Sequence, residues 1–321
     1  LLAGYETVAR FARAFVFPPL VLHPHGGLAT VGAAAAVARL RGLGAEAFGR
    51  TVSTAATLVL PGPFRHAVEG ALVRNVWPGL CAQNGLRAAD WSGIGISGTP
   101  GSVADVFVSI LGATADAARL DSGLSRDWAM RDGYHKLHAC CQYGHSTVEA
   151  VQAALAGGGP LSPGRIAAIR VAVHEKGRAL DNAAPTTTLA AKFSIQHIAA
   201  ATAAFGHAGA AAFAAGTLAD DGIAQLRQRV VIVPFAPPGE WPNDRPSRVA
   251  LRLSDGRVLE GECLSARGGP DRPFSPAEII AKAEGILGGV YPRASAPLVA
   301  AAGLDEATLV RSWRAVVADF A

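Results

Sequence analysis

The sequence predicts a two-domain protein, in which a smaller α+β domain is inserted before the C-terminal helices of an all-α helical domain. Segments with helical periodicity dominate the first part of the chain, β-strand patterns begin only after about residue 128, and a helix-start signal returns at Ser275. A length of 321 residues agrees with two domains. We therefore expect a helical domain of residues 1–128 and 273–321, and an α+β domain of residues 129–272.

Composition restricts the classes of function. Half of the residues are hydrophobic, 17% are charged and the net charge is +4, so the concentrated basic surface typical of nucleic-acid binding is not expected. No apolar run is long and uninterrupted enough to span a bilayer. The four cysteines favour free thiols in a reducing compartment, and hence the cytoplasm. Because the chain starts without Met or a signal-peptide pattern, we expect a missing N-terminal segment.

Apolar spacing and chain breaks predict the helices of the first domain. Val8, Phe11 and Phe15 form a helical stripe that ends before two prolines, and the segment after His23 is nearly all small apolar residues. Such a helix allows close contact with its neighbours. The predicted helices cover residues 3–16, 27–40, 44–58, 64–73, 79–90 and 102–112.

Alternation and turn chemistry predict the α+β domain. Ile169, Val171 and Val173 share one face of a strand, and Asp255-Gly256 is a strong hairpin signal. Ser275 and Glu278 form a capping-box pattern. The predicted strands cover residues 169–173, 229–233, 249–253 and 257–261, and the predicted helices cover residues 145–156, 188–205, 276–287, 294–302 and 306–319.

One stretch, Tyr134–His145, concentrates groups that bind or move protons. It holds one lysine, three histidines, two tyrosines and two adjacent cysteines in a chain with nine histidines in all. Such density indicates a candidate site, with Lys136, His138 and His145 as its main groups. The alternative is chance clustering on a surface loop.

Three polar residues lie beside or within otherwise apolar elements. His23 precedes the small-residue helix and either lines a cleft or has a capping or packing role. Arg74 lies in an irregular break and either binds a carboxylate through two hydrogen bonds or is a surface arginine. His197 lies within a helix and is either catalytic or a satisfied core residue. We expect four further histidines outside the site: His25, His66, His174 and His207.

Several other chemistries lack their sequence patterns. The metal-ligand types in Tyr134–His145 include no C-x₂-C pair and no H-E-x-x-H. The glycines between residues 93 and 101 follow no strand, and no G-x-S-x-G occurs. We expect neither a metal nor an organic cofactor. Cations and histidines together suit abstraction of a proton next to a carboxylate, because the cations stabilise the enolate charge.

Four separated segments follow the motif pattern of a known family. They are Gly4-Tyr5-Glu6 with His23-Pro24-His25 and the alanine-rich run to Leu43, Arg74–Gly79 with Ala88-Ala89, Tyr134–Cys141 with His145, and Ala191–His197. By these segments the chain resembles the MmgE/PrpD family, which contains 2-methylcitrate dehydratase, cis-aconitate decarboxylase and iminodisuccinate epimerase. The order and spacing of the segments agree with the family from end to end.

The resemblance implies a helical domain with an inserted α+β domain, a homodimer, and metal-free proton transfer at carbon in small polycarboxylates. His23, Lys136 and His145 match residues of the family motifs. With these we expect His23, Lys136, His145 and His197 to be catalytic, and Arg74 and His138 to bind substrate. We expect His23, Arg74, Lys136 and His145 to converge in an interdomain cleft.

Three departures bear on the reaction. Arg74 and Trp77 stand where decarboxylase-type members have lysine and histidine, and His197 replaces a tyrosine, which weakens the decarboxylase interpretation. From the resemblance we expect the acidic segment of the family to lie upstream of the first residue of this sequence. We expect a cofactor-independent lyase that hydrates or dehydrates a small polycarboxylate. The alternatives are an epimerase of a dicarboxylate and a non-catalytic carboxylate-binding protein.

Overall fold

A computed structural model describes residues 1–156, 158–291, 293, 296, 299–300 and 305–319, except for the side chain of His25. The chain forms two compact units. The first comprises Leu1–Gly133 with His138–Ala266, and the second comprises Tyr134–Leu137 with the chain from Arg267 onward. The protein is mostly helical with a smaller sheet-containing part, as predicted. The predicted domain boundaries and the inserted arrangement stay predictions.

The N-terminal part of the first unit is built around one helix of small residues. The helices here are α1 (Leu2–Ala14), α2 (Pro24–Leu40), α3 (Ala45–Ala56), α4 (Arg65–Glu69), α5 (Trp77–Gly93), α6 (Ser102–Ala104) and α7 (Ala118–Asp121). Helix α2 packs against α1, α3 and α5. A Cβ atom at Gly85 of α5 would lie 2.5 Å from the Cβ of Ala33 and 2.9 Å from the carbonyl oxygen of Thr30. Glycine at this position therefore allows α2 and α5 to approach closely.

Aromatic rings fill the core of this helical part. The fully buried Phe107 ring lies 5.9 Å from the Phe11 ring and 5.3 Å from the Phe15 ring, in edge-to-face geometry. Phe107 lies in a π-helical segment, Asp105–Ile110, that continues α6. Phe15 belongs to β1 (Phe15–Val16), which pairs with β2 (Thr114–Ala115). The sequence pattern did not predict this two-stranded sheet.

A four-stranded mixed sheet forms the other half of the first unit. Its strands are β3 (Ile166–Val173), β4 (Val230–Pro234), β5 (Ser247–Leu253) and β6 (Val258–Cys263), in the order β4-β3-β5-β6. β3 and β4 are parallel, and the other pairs are antiparallel. The predicted turn joins β5 to β6, with Gly256 at φ +90°. Each predicted strand is confirmed.

Helices pack against this sheet and against one another. They are α8 (His145–Ala154), α9 (Glu175–Arg178), α10 (Thr188–Lys192), α11 (Ile195–Phe205), α12 (Ala215–Ala219) and α13 (Asp221–Arg227). α8 packs on β5 and β6, and α11 packs on β3, β4 and α8. The single helix predicted over residues 188–205 is wrong. The Ser194 hydroxyl accepts the His197 backbone N–H and starts a new helix after a break at Phe193.

The second unit contains α14 (Pro276–Leu287), α15 (Glu306–Leu309) and α16 (Trp313–Ala318). The capping box of α14 is confirmed, because Ser275 and Glu278 exchange side-chain and backbone hydrogen bonds. The helix predicted over residues 306–319 is two short helices, and most of the helix predicted over residues 294–302 lies outside the described residues. Within the described chain, every helix is too short or too polar to cross a membrane.

Candidate functional site

His23 and Arg74 lie side by side although 51 residues separate them in the chain. The Arg74 Nη2 atom is 3.3 Å from Nε2 of His23. Because a guanidinium only donates, Nε2 of His23 accepts, and its ring carries a proton on Nδ1. His23 is the N-terminal flanking residue of α2, where its backbone N–H donates to the carbonyl of Gly62 over 2.7 Å. Two predicted site residues are therefore in direct contact.

Aromatic side chains surround this pair. The His23 ring stacks on Phe64 and meets Trp77 edge-on, with centroid distances of 6.0 and 5.9 Å. The Arg74 guanidinium lies 5.6 Å from the centre of the Phe193 ring. Such walls lower the local dielectric constant, which strengthens any charge interaction made there.

The Arg74 guanidinium retains binding capacity. Its Nε atom is buried without a hydrogen-bond partner in the described chain, and no carboxylate of that chain lies within ion-pair distance. Burial lowers the pKa of Arg74, whereas the neighbouring Cys141 raises it. Arginine stays charged under such shifts. A half-buried cation without a carboxylate partner in the described chain is a suitable partner for an anionic ligand.

Cys141 lies between Arg74 and a partly buried tyrosine, Tyr143, in its electrostatic influence. Burial raises the pKa of Tyr143, and Cys141 raises it further. The Tyr143 ring lies 6.3 Å from Phe64 and 5.8 Å from the Arg245 guanidinium. The sequence stretch around Cys141 therefore does reach the His23–Arg74 pair, through a thiol that the predicted site did not include.

His138 and His145 form a second buried group with Glu149. Their rings are 5.0 Å apart and nearly perpendicular. Nε2 of His145 donates to the carbonyl of Cys140 over 3.3 Å, and Nε2 of His138 lies 3.8 Å from Oε1 of Glu149. Cys140 contacts His145, and the adjacent Cys141 acts on Arg74. The Cys140-Cys141 dipeptide therefore connects this group to the surroundings of Arg74.

His197 lies apart from these groups in the core. It is fully buried, Nε2 donates to the carbonyl of Ala212 over 2.9 Å, and Nδ1 accepts from Arg227 over 3.1 Å. Burial lowers its pKa to about 4, and the Arg227 charge adds to that effect. With both nitrogens occupied, the ring has the environment of a core residue. Of the two interpretations that the sequence left open for His197, these contacts favour the satisfied core residue.

Lys136 belongs to the second compact unit, where it is exposed. The backbone N–H of its neighbour His135 donates to the carbonyl of Gly268 over 2.8 Å, and this bond ties the segment to the chain before α14. Burial lowers the pKa of Lys282 on α14, and the charge of Lys136 lowers it further. The positive charges of Lys136 and Lys282 therefore repel each other within this unit. The predicted convergence of Lys136 with His23 stays a prediction.

Two histidines expected outside the site border it. The His66 ring stacks on the Trp77 ring with a centroid distance of 6.0 Å, and the same Trp77 ring contacts His23. His174 donates through Nε2 to the carbonyl of Tyr143 and accepts the Gly177 N–H at Nδ1, and burial lowers its pKa. No group of three or more His, Cys, Asp and Glu side chains in the described residues is placed to hold a metal ion.

Sequence reasoning missed Glu149, Cys141 and the aromatic walls. A glutamate inside an amphipathic helix normally faces water, so Glu149 carried no distinctive pattern. One signal was present: Glu149 follows His145 by four residues, a spacing that puts both side chains on one helix face.

The comparison with protein families agrees with this architecture. The model of the MmgE/PrpD N-terminal domain matches residues 1–108, and that of the MmgE/PrpD C-terminal domain matches residues 138–306. The chain belongs to the MmgE/PrpD family, which includes dehydratases and related enzymes, and the resemblance noted in the sequence is confirmed. No individually curated protein matches the chain.

Proposed function

We propose that the protein is a cofactor-independent lyase that adds water to, or removes it from, a small polycarboxylate. The observation that carries the proposal is the contact of His23 with Arg74, a half-buried cation without a carboxylate partner in the described chain. Family membership supports the reaction class.

Arg74 binds a substrate carboxylate in this proposal. A guanidinium presents parallel donors that match the two oxygens of a carboxylate. The buried, unpaired Nε and the surrounding Phe193 and Trp77 rings make that match stronger than on an open surface. The same charge stabilises the enolate that forms when a proton leaves the neighbouring carbon.

Histidines move the proton. His23 contacts Arg74 directly and is held at the start of α2, so it lies where the substrate carboxylate would bind. His145 donates to the carbonyl of Cys140, the residue next to Cys141, and the His138 ring contacts the His145 ring. Lys136 keeps its predicted catalytic role in the proposal, as a cation that stabilises negative charge. The environment of His197 supports a structural role, so its predicted catalytic role is not part of the proposal.

Proton exchange tests this function. The full chain is incubated in D₂O with a panel of di- and tricarboxylates, and the C–H signals are followed by proton NMR. A lyase exchanges or eliminates the proton next to a carboxylate and produces alkene signals, whereas an epimerase exchanges it and inverts the centre without an alkene. Binding without exchange would refute catalysis and favour the carboxylate-binding alternative. The predicted homodimer and cytoplasmic location remain proposals.

A further inference from the structure

A largely buried carboxylate, that of Glu149, lies beside the paired histidines His138 and His145. Glu149 follows His145 by one turn of α8, so both side chains project from the same helix face. The Glu149 side chain is only 16% exposed and that of His138 8%. Removing a carboxylate from water costs several kcal/mol unless partners compensate, so its contacts need a functional or structural reason.

Two contacts fix the carboxylate from opposite sides. Oε1 lies 3.8 Å from Nε2 of His138. Oε2 accepts a hydrogen bond of 3.6 Å from the thiol of Cys263, at the end of β6. Carboxylate oxygens only accept, so a hydrogen bond between these two groups requires the proton of His138 on Nε2. The contact is longer than a hydrogen bond, as base–orienter pairs often are without substrate.

The other ring nitrogen of His138 is left available. No hydrogen-bond partner reaches Nδ1 of His138 within the part of the chain that the structure describes. His197 and His174 differ, because protein groups engage both of their nitrogens. Of these three buried rings, His138 alone combines an adjacent carboxylate with a free acceptor nitrogen.

We propose that Glu149 is a positioning residue that holds the proton of His138 on Nε2 and so makes Nδ1 the proton acceptor of the reaction. The proton leaves the substrate carbon for Nδ1, and the C–H electron pair stays on the substrate as an enolate. His138, predicted only to bind substrate, thereby becomes the base. This inference rests on the proposed lyase function.

The direct test is the tautomer of His138. Glu149→Gln keeps the size of the side chain but offers either an oxygen or an NH₂ group to Nε2. In ¹⁵N spectra of the full chain, the wild type should show the proton on Nε2, and Glu149→Gln should show a mixture of tautomers. A wild type protonated on Nδ1, or a variant with the wild-type pattern, would overturn the proposal. This readout needs no substrate, so its failure is separate from failure of the proposed function.

A double-mutant cycle gives the kinetic test. Glu149→Gln should lower kcat about 100-fold, the effect of misplacing a catalytic group, and change KM less than about threefold. In a His138→Phe background the same change should have no further effect, because Glu149 acts through His138. Losses of kcat that add in the double variant, or an unchanged kcat in Glu149→Gln alone, would refute the positioning role of Glu149. Glu46→Gln, which removes an exposed ion pair to Arg50, is the matched control and should keep wild-type kcat.

Discussion

Acidification should destabilise the protein through His197, and a substitution at this residue should remove much of that sensitivity. The ring is buried and neutral, and its folded-state pKa is about 4 compared with an ordinary value of 6.5. Between these two values the unfolded chain binds a proton that the folded protein does not. Protonation therefore favours unfolding, and stability falls as the pH drops from 6.5 towards 4.

The size of this effect follows from the two pKa values. Linkage gives a loss of about 2 kcal/mol of unfolding free energy between pH 7 and pH 5 from His197 alone. A typical domain has about 5–15 kcal/mol in total, so the loss is a sizeable fraction. His174, whose pKa burial also lowers, adds a contribution of the same sign.

His197→Gln isolates the contribution of this ring. The amide keeps one donor for Ala212 and one acceptor for Arg227 but does not titrate. Urea unfolding followed by circular dichroism at pH 7 and pH 5 should show a smaller pH-dependent loss in the variant, by about 2 kcal/mol. His207→Gln, at an exposed histidine, is the control and should show the same pH-dependent loss as the wild type. An equal pH-dependent loss in wild type and His197→Gln would refute the reasoning.

Two further predictions concern activity and packing. Lys136→Met should lower substrate turnover about 100-fold, since it removes one stabilising cation, and it should leave the unfolding midpoint unchanged. Lys176→Met, at another exposed lysine, is the control and should keep wild-type turnover. Normal turnover by a folded Lys136→Met protein would contradict the catalytic assignment of Lys136. Gly85→Ala should destabilise the protein by about 1–3 kcal/mol through overpacking between α2 and α5, as measured by urea unfolding. Gly79→Ala, on the same helix with no atom within 4 Å of the added Cβ, should not destabilise it, and equal effects of the two changes would rule out the close crossing.

Local signals predicted most of the fold. The capping box before α14 and the Asp255-Gly256 turn are short-range patterns whose chemistry determines the structure directly. The break at Ser194 was missed because apolar residues continue on both sides, and only the hydroxyl cap separates the two helices. The β1–β2 pairing was missed because its strands of two residues lie about 100 residues apart.

The site was predictable in its residue types more than in its contacts. His23 and Arg74 were selected as polar groups beside or between apolar helices, and the fold brings them to 3.3 Å. His197 has the same sequence signature, but Arg227 and Ala212 occupy both ring nitrogens. Whether a buried histidine is available depends on such tertiary partners, which the sequence pattern does not reveal.

Proton exchange in an Arg74 variant tests the central claim most directly. Arg74→Met keeps an apolar contact with Phe193 and deletes the charge. With a carboxylate that the wild type exchanges in D₂O, the variant should exchange its proton at least about 100-fold more slowly. Arg65→Met, which removes an exposed arginine paired with Glu69, should exchange at the wild-type rate. A folded Arg74→Met protein that exchanges the substrate proton at the wild-type rate would contradict the proposed carboxylate site.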